Sequence, residues 1–269
     1  MRKKPQSFKA LFAVFFFFFL PLQLISVIAY FSDCQSNQKV LSSVVEKINQ
    51  YQPTAIFIGG DITLNGSRQD EFTIFFNLIK PLTISAVIYP AMGNHDKDTE
   101  LFLANFPQVD SLTYYSVEKD GILWIVLNSN LKLAPGSTQY NWLITTLEKY
   151  SNRTKVVVMH HPVFSSGAHG DEKGFSFLLP QLFSKYGVDL VLSGHDHIFE
   201  RSEKDGVIYI VFGGAGGQLY NNVSRNDYSR LFKKTNGFLI LDVIKDKLDI
   251  TAIDLEGNTI DHLFLTIKK

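Results

Sequence analysis

The sequence is poor in cysteine, because Cys34 is the only one among 269 residues. A single cysteine cannot form a disulfide within the chain, and it excludes a zinc site built from several thiolates. The chain also has no excess of either charge, since 26 lysines and arginines balance 26 aspartates and glutamates. This balance gives no electrostatic basis for binding nucleic acid, so we expect no nucleic acid partner.

Only 19% of the residues are charged, whereas 45% are apolar. These proportions are typical of a folded globular protein rather than a disordered one. The length suits one large α/β domain or two small ones, and either could bury a sizeable core. We find no internal repeat and no linker-like segment. We therefore assign residues 24–269 to one domain.

The first 23 residues differ from the rest of the chain. Four lysines and arginines in the first nine residues precede an apolar stretch that includes Phe15–Phe19. A basic start followed by an apolar segment is typical of an export signal or of an uncleaved membrane anchor. We expect one of these over residues 1–23, and hence a periplasmic, extracellular or outward-facing membrane-anchored protein. A buried strand of a cytoplasmic protein is the alternative.

Apolar runs rich in β-branched residues predict strands at 24–31, 55–58 and 85–90, each ending in a polar cluster. Repeated strand–helix units predict a parallel sheet with crossover helices. Helices are predicted near 37–51, 72–79, 140–147 and 175–186, and further strands at 112–117, 122–127, 155–159, 188–192, 207–212, 237–243, 246–253 and 260–267. Two sheets flanked by helices accommodate this order, so we predict an α/β protein with mixed sheets.

Polar side chains that suit metal binding follow five of these strands: Asp33, Asp61, Asn94, His95, His160, His195 and His197. Open α/β sheets place their chemistry at the carboxyl ends of strands. Two divalent ions about 3.5 to 4 Å apart typically share one carboxylate and are completed by nitrogen and oxygen ligands. Such a pair makes hydroxide available near neutral pH and neutralises phosphoryl charge, which suits in-line attack on a phosphoester.

Five motifs resemble, in the same order, those of the calcineurin-like metallophosphoesterases: Asp33-x-Gln35, Gly60-Asp61, Gly93-Asn94-His95-Asp96, His160-His161-Pro162 and Gly194-His195-Asp196-His197. Residues 194–201 and the glycine-rich segment 213–217 resemble the purple acid phosphatase-like branch of that family. The resemblance implies a four-layer αββα double β-sandwich. It also implies that the protein hydrolyses phosphoesters, as a phosphatase or a phosphodiesterase, with a metal-bound hydroxide as the nucleophile.

The resemblance further implies two metal ions, which would be iron, manganese or zinc. By position, one ion would bind Asp33, Asp61 and His197, and the other would bind Asp61, Asn94, His160 and His195. Asp61 would therefore bridge the two ions.

Two further histidines have roles implied by the same resemblance. His95 would lie beside the leaving-group oxygen, as a transition-state stabiliser or proton donor, with Asp96 as its orienting partner. His169 follows a glycine-containing loop, about where purple phosphatases place a substrate-facing histidine; a plain surface histidine is the alternative. We expect His161 and His262 to be structural.

The chain departs from the family pattern at two positions. Gln35 stands where most of the family has histidine, and an amide oxygen is a weaker, harder ligand than imidazole. The first metal would then be held less tightly, or Gln35 would only position water. Leu64 stands where the purple enzymes carry a tyrosine.

Two other functions compete with hydrolysis. A binding module that kept the fold but lost turnover is supported by Gln35 alone, whereas burying the other ligand residues without metal would be costly. A membrane-tethered partner protein would depend chiefly on residues 1–23.

Because Leu64 replaces the tyrosine, we predict no iron–tyrosinate colour. The visible absorption spectrum of the purified protein should lack a charge-transfer band. Such a band would contradict the assignment of Leu64 to the tyrosine position.

Overall fold

The computed structural model describes residues 26–96, 98–109, 111–221 and 226–268. These residues form thirteen strands: β1 Ser26–Phe31, β2 Ala55–Ile58, β3 Val87–Pro90, β4 Tyr115–Lys119, β5 Ile122–Val126, β6 Thr154–Met159, β7 Leu190–Ser193, β8 Phe199–Lys204, β9 Val207–Phe212, β10 Ser229–Lys233, β11 Gly237–Ile244, β12 Lys247–Asp254 and β13 Thr259–Thr266. They also form five α-helices: α1 Gln38–Gln50, α2 Gln69–Ile79, α3 Thr99–Asn105, α4 Thr138–Lys149 and α5 Lys173–Lys185. A short 3₁₀ helix covers Leu82–Ile84.

The strands form two mixed sheets. The six-stranded sheet has the order β13-β12-β11-β1-β2-β3, and the seven-stranded sheet has the order β10-β8-β9-β7-β6-β5-β4. In the first sheet β1, β2 and β3 are parallel, while β11 to β13 are antiparallel to their neighbours. In the second, β5, β6, β7 and β9 are parallel, and the antiparallel strands β4, β8 and β10 lie toward the edges.

Successive side chains along each central strand point to opposite faces of the sheet and so enter two different cores. Ile28 and Tyr30 of β1 point into the core between the sheets, where they join Trp124 of β5. Ala29 and Phe31 point the opposite way and pack with α1, α2 and α3, while α4 and α5 cover the second sheet. Both faces of the central strands are therefore buried, which explains their unbroken apolar runs. The predicted four-layer αββα architecture is confirmed.

Two strands and two helices were not predicted from the sequence: β8, β10, α3 and the short 3₁₀ helix. The β8 sequence Phe-Glu-Arg-Ser-Glu-Lys is mostly polar, yet it pairs with β9 through a turn at Asp205-Gly206. Both turn residues have positive φ, 52° and 81°, as a tight hairpin requires. Helix α3 is short and begins at Thr99, after the N-cap Asp98, whose side chain accepts a hydrogen bond from the Leu101 N–H.

The expected signal or anchor at residues 1–23 lies outside the described residues, as do the first two residues of the predicted strand at 24–31. In the part of the chain that the structure describes, no helix is both long enough and apolar enough to cross a bilayer.

An aromatic stack joins the two sheets and should be important for stability. Phe57 is fully buried, with its ring centroid 4.0 Å from that of Trp124 and 4.9 Å from that of Tyr89. We predict that Phe57→Ala lowers the free energy of unfolding by about 3 to 5 kcal/mol, because it leaves a cavity.

Phe177→Ala is the matched control, since Phe177 is 80% exposed. Its effect should stay within about 0.5 kcal/mol. Chemical denaturation of both variants measures the difference, and equal stability of the two would contradict this account of the core.

Candidate metal centre

The predicted ligands lie together at the carboxyl ends of strands from both sheets. Asp33, Asp61 and Asn94 follow β1, β2 and β3, while His160 follows β6 and both His195 and His197 follow β7. Backbone hydrogen bonds connect these loops. The Asp33 N–H donates to the Gly60 carbonyl at 3.0 Å, and the Gly194 N–H donates to the His160 carbonyl at 3.0 Å.

Asp33 and His197 form one end of the centre. Nδ1 of His197 lies 2.8 Å from the Gln218 carbonyl, and Nε2 lies 3.4 Å from Oδ1 of Asp33. The His197 ring also stacks on Tyr220, with 4.4 Å between their centroids. Both Asp33 oxygens accept from the His195 N–H, at 3.1 and 3.0 Å. Backbone groups, the Gln218 carbonyl and the His195 N–H, thus orient these two side chains.

Asn94, His160 and Asp61 form the other end. Nε2 of His160 lies 2.9 Å from Oδ1 of Asn94 and 3.4 Å from Oδ1 of Asp61. Nδ1 of His160 contacts the Gly59 carbonyl at 2.9 Å, which fixes the ring. The ligand atoms of Asp33, Asp61 and His160 lie within 4.8 Å of one another, so they could hold a metal ion. Asp61 therefore lies within reach of both ends.

His195 is surrounded by other histidines. Its ring centroid lies 5.1 Å from that of His160, 4.5 Å from that of His161 and 4.2 Å from that of His169. Nitrogens of His160, His161 and His195 lie within 4.8 Å of one another and form a second group that could hold a metal ion. His161, which is expected to be structural, therefore also belongs to a group that could hold a metal ion. Its adjacency to His160 was the only signal.

The backbone is strained at three predicted ligands. The φ angle is 61° at Asp33, 50° at Asp61 and 69° at His195. Side chains other than glycine seldom occupy this left-handed region, although aspartate and histidine tolerate it better than most. Each such residue costs on the order of 1 kcal/mol, and strain of this kind is concentrated at functional sites.

The charges in the centre are strongly coupled. Burial lowers the pKa of His195 to about 2, with the neighbouring His160 adding to the effect. Burial also acts against a charged His160, but Asp61 outweighs it and raises the His160 pKa to about 9. Burial would raise the pKa of Asp61, yet the charge of His160 and its hydrogen bond hold that pKa well below its usual range.

This donor set fits divalent metal ions. It combines buried carboxylates, an amide oxygen and imidazoles, all ligands that suit iron, manganese and zinc. A cation bound at Asp61 would take over the charge compensation that the His160 proton provides, since metal and proton compete for such ligands.

Gln35 lies beside the shared carboxylate. Its Nε2 donates to Oδ2 of Asp61 at 3.2 Å. Its Oε1 is buried and has no hydrogen-bond partner within the described ranges. An unsatisfied buried oxygen costs about 1 to 3 kcal/mol, which a bound cation would offset. The contact with Asp61 is established, while ligation by Gln35 stays a prediction.

The structure gives His95 a different partner from the one predicted. Nδ1 of His95 lies 2.8 Å from the Leu64 carbonyl, and Nε2 lies 3.9 Å from Oδ2 of Asp61. Asp96 is fully buried and accepts from the backbone N–H groups of Ile62 and Thr63. Asp96 therefore fixes the loop that carries Leu64, whose carbonyl contacts His95, and its role as orienting partner of His95 stays a prediction. Burial and the charge of Asp61 raise the pKa of Asp96 to about 6.

His169 and His262 differ in position. The His169 side chain is 45% exposed and lies over the centre, next to His195, with Nδ1 3.0 Å from Oδ1 of Asp196. It is thus more than an isolated surface histidine, and its contact with substrate stays a prediction. His262 lies on β13, at the edge of its sheet, and pairs with Asp249.

One protein-family profile matches the segment of the chain that contains these motifs. The calcineurin-like phosphoesterase profile matches residues 26–199, a segment that contains every predicted metal ligand. The chain belongs to this family. Its relatives within the family include purple acid phosphatases.

Two relatives and one solved structure illustrate the similarity. Probable purple acid phosphatase 20 of Arabidopsis thaliana is 28% identical over 204 residues, which cover 65% of this chain and 48% of that protein. Fe(3+)-Zn(2+) purple acid phosphatase 12 of the same plant is 34% identical over 97 residues, covering 34% of this chain and 20% of that protein. The chain thus spans about half the length of the first relative.

The solved structure is GAP50, described as the anchor in the inner membrane complex of Plasmodium. It has a TM-score of 0.79 at 17% identity, with 91% of this chain and 90% of that chain covered. At this identity the likeness shows a shared fold.

Gly217 should be essential for the position of His197. A Cβ at Gly217 would lie 2.3 to 2.5 Å from atoms of the His197 ring. The ring could move away only by losing its contacts with Gln218 and Tyr220. We predict that Gly217→Ala weakens metal binding by about 10- to 100-fold, as measured by competition with a chelator.

The matched control is Gly174→Ala, because a Cβ at Gly174 meets nothing within 4 Å. Its metal affinity should equal that of the wild type. Unchanged affinity in the Gly217 variant would show that His197 does not bind metal.

Proposed function

We propose that this protein is a dinuclear metal-dependent phosphoester hydrolase. The observation that carries the proposal is the position of Asp61, a buried carboxylate within reach of Asp33 at one end and His160 at the other. One ion would bind Asp33, Asp61 and His197, with Gln35 beside it. The other would bind Asp61, Asn94, His160 and His195.

The ions would be iron, manganese or zinc, as the donor set allows. When bound, they would activate water for in-line attack and neutralise the charge that develops on the phosphoryl oxygens.

His95 is proposed to assist the leaving group. Nδ1 faces the Leu64 carbonyl, which can only accept, so this nitrogen carries a proton and the ring orientation is fixed. Nε2 then lies on the side of Asp61, and the side chain is 35% exposed, so a substrate could reach it. With a second proton on Nε2, a histidine in this position can donate that proton to the departing oxygen.

The substrate is proposed to be a phosphomonoester or phosphodiester. The family and the purple acid phosphatase relatives support this class. We further propose that the protein acts outside the cytoplasm, because residues 1–23 have the pattern of an export signal or membrane anchor.

A binding module without turnover is the second candidate. Two observations favour it: Gln35 replaces a histidine of the family pattern, and the same fold serves in GAP50 as an anchor. Against it stand the other predicted ligands, which are all present and converge at one site.

We predict that Asp61→Asn lowers hydrolysis of an aryl phosphate at least about 1,000-fold, because both metal sites lose their shared negative ligand. Turnover of an aryl phosphate monoester and an aryl phosphate diester is measured with added Mn²⁺, Zn²⁺ or Fe²⁺. The ratio of the two rates identifies the substrate subclass.

Asp249→Asn is the matched control, since Asp249 pairs with exposed His262 on a distant strand. It should retain full activity. Turnover in the Asp61 variant would rule out the two-metal mechanism, and no turnover by the metal-loaded wild type would favour the binding module.

A further inference from the structure

The residue between the two ligands His195 and His197 is Asp196, a fully buried carboxylate. It contacts the loop at 165–170. Its Oδ1 accepts from the backbone N–H and from Nδ1 of His169, both at 3.0 Å. Its Oδ2 accepts from the Ser165 hydroxyl and from the Gly170 N–H at 3.3 Å. Four donors of one loop therefore converge on a single carboxylate.

The loop packs directly on this carboxylate. A Cβ at Gly167 would lie 2.4 Å from Cγ of Asp196, so only glycine fits there. A second buried carboxylate, Glu200, accepts from the N–H and the hydroxyl of Ser166, both at 2.6 Å. No lysine or arginine of the described ranges pairs with either carboxylate. Hydrogen-bond donors of the loop therefore offset most of the negative charge of Asp196 and Glu200.

These contacts determine how the His169 ring is presented. A carboxylate can only accept, so Nδ1 of His169 carries the hydrogen in their contact. Nε2, on the far side of the ring, has no hydrogen-bond partner among the described residues. The ring lies 4.2 Å from that of His195 and 5.2 Å from that of Tyr220, at the opening of the metal centre.

We propose that Asp196 is a positioning residue for His169. It holds the ring with Nδ1–H donated to the carboxylate and Nε2 directed to the phosphoryl group of a substrate. The identity of that substrate rests on the proposed function. Asp196 thus joins the metal ligands on either side of it to the substrate-facing loop, and the two parts of the site are positioned together.

The first test is the protonation pattern of His169 in the full chain, with and without Zn²⁺. Nitrogen NMR of ¹⁵N-histidine-labelled protein at pH 8.5 should show the proton on Nδ1 and a bare Nε2. A proton on Nε2 with a bare Nδ1, or the averaged shifts of an unpaired histidine, would overturn the proposal. This readout needs no catalytic activity and no variant.

The second test is a double-mutant cycle. Asp196→Asn should lower kcat/KM by about 10- to 100-fold in the wild type, with metal content unchanged. In a His169→Ala background, the same substitution should lower kcat/KM by less than about threefold, because the ring that Asp196 positions is absent. An equal loss in both backgrounds would overturn the proposal.

Glu200→Gln is the matched control, since Glu200 holds the same loop through Ser166 without touching His169. Glu200→Gln should change kcat/KM by the same factor in the wild type and in the His169→Ala background. If the Asp196 variant does not fold, the NMR measurement decides alone. If the wild type hydrolyses neither ester, the proposed function fails, while the NMR result still decides the position of His169.

Discussion

The packing of the two sheets against each other determines where the metal centre forms. Phe57 of β2 stacks on Trp124 of β5, and Tyr30 of β1 lies in the same core. With the sheets held face to face, the carboxyl ends of β1, β2, β6 and β7 open at one edge. At that edge, the hydrogen bond from the His195 N–H to the Asp33 carboxylate links a loop of one sheet to a loop of the other. The relative position of predicted ligands that follow strands of different sheets depends on this contact.

The candidate metal centre is costly to assemble. Three ligands adopt left-handed backbone conformations, and buried carboxylates and imidazoles are removed from water. The Gly59 and Gln218 carbonyls accept hydrogen bonds from Nδ1 of His160 and Nδ1 of His197, and these contacts orient both rings. Such preorganisation favours a defined coordination geometry over maximum stability of the metal-free fold.

The sequence was sufficient to predict the features that depend on local pattern. Continuous apolar runs identified the central strands, and the polar residues directly after them, from Asp33 to His197, are the predicted ligands that the fold brings together. The sequence was insufficient where a contact joins distant segments. Polar β8 forms because β9 pairs with it, and Asp96 hydrogen-bonds to Ile62 and Thr63 instead of His95. His161 and Asp196 sit beside predicted ligands, but only the folded loops reveal what they touch.

The central claim is that Asp61 joins two metal sites. Anomalous X-ray diffraction from crystals of the zinc-loaded protein tests it most directly. The account predicts two strong peaks about 3.5 to 4 Å apart, with the Asp61 carboxylate between them. A single peak, or two peaks that do not share Asp61, would contradict it.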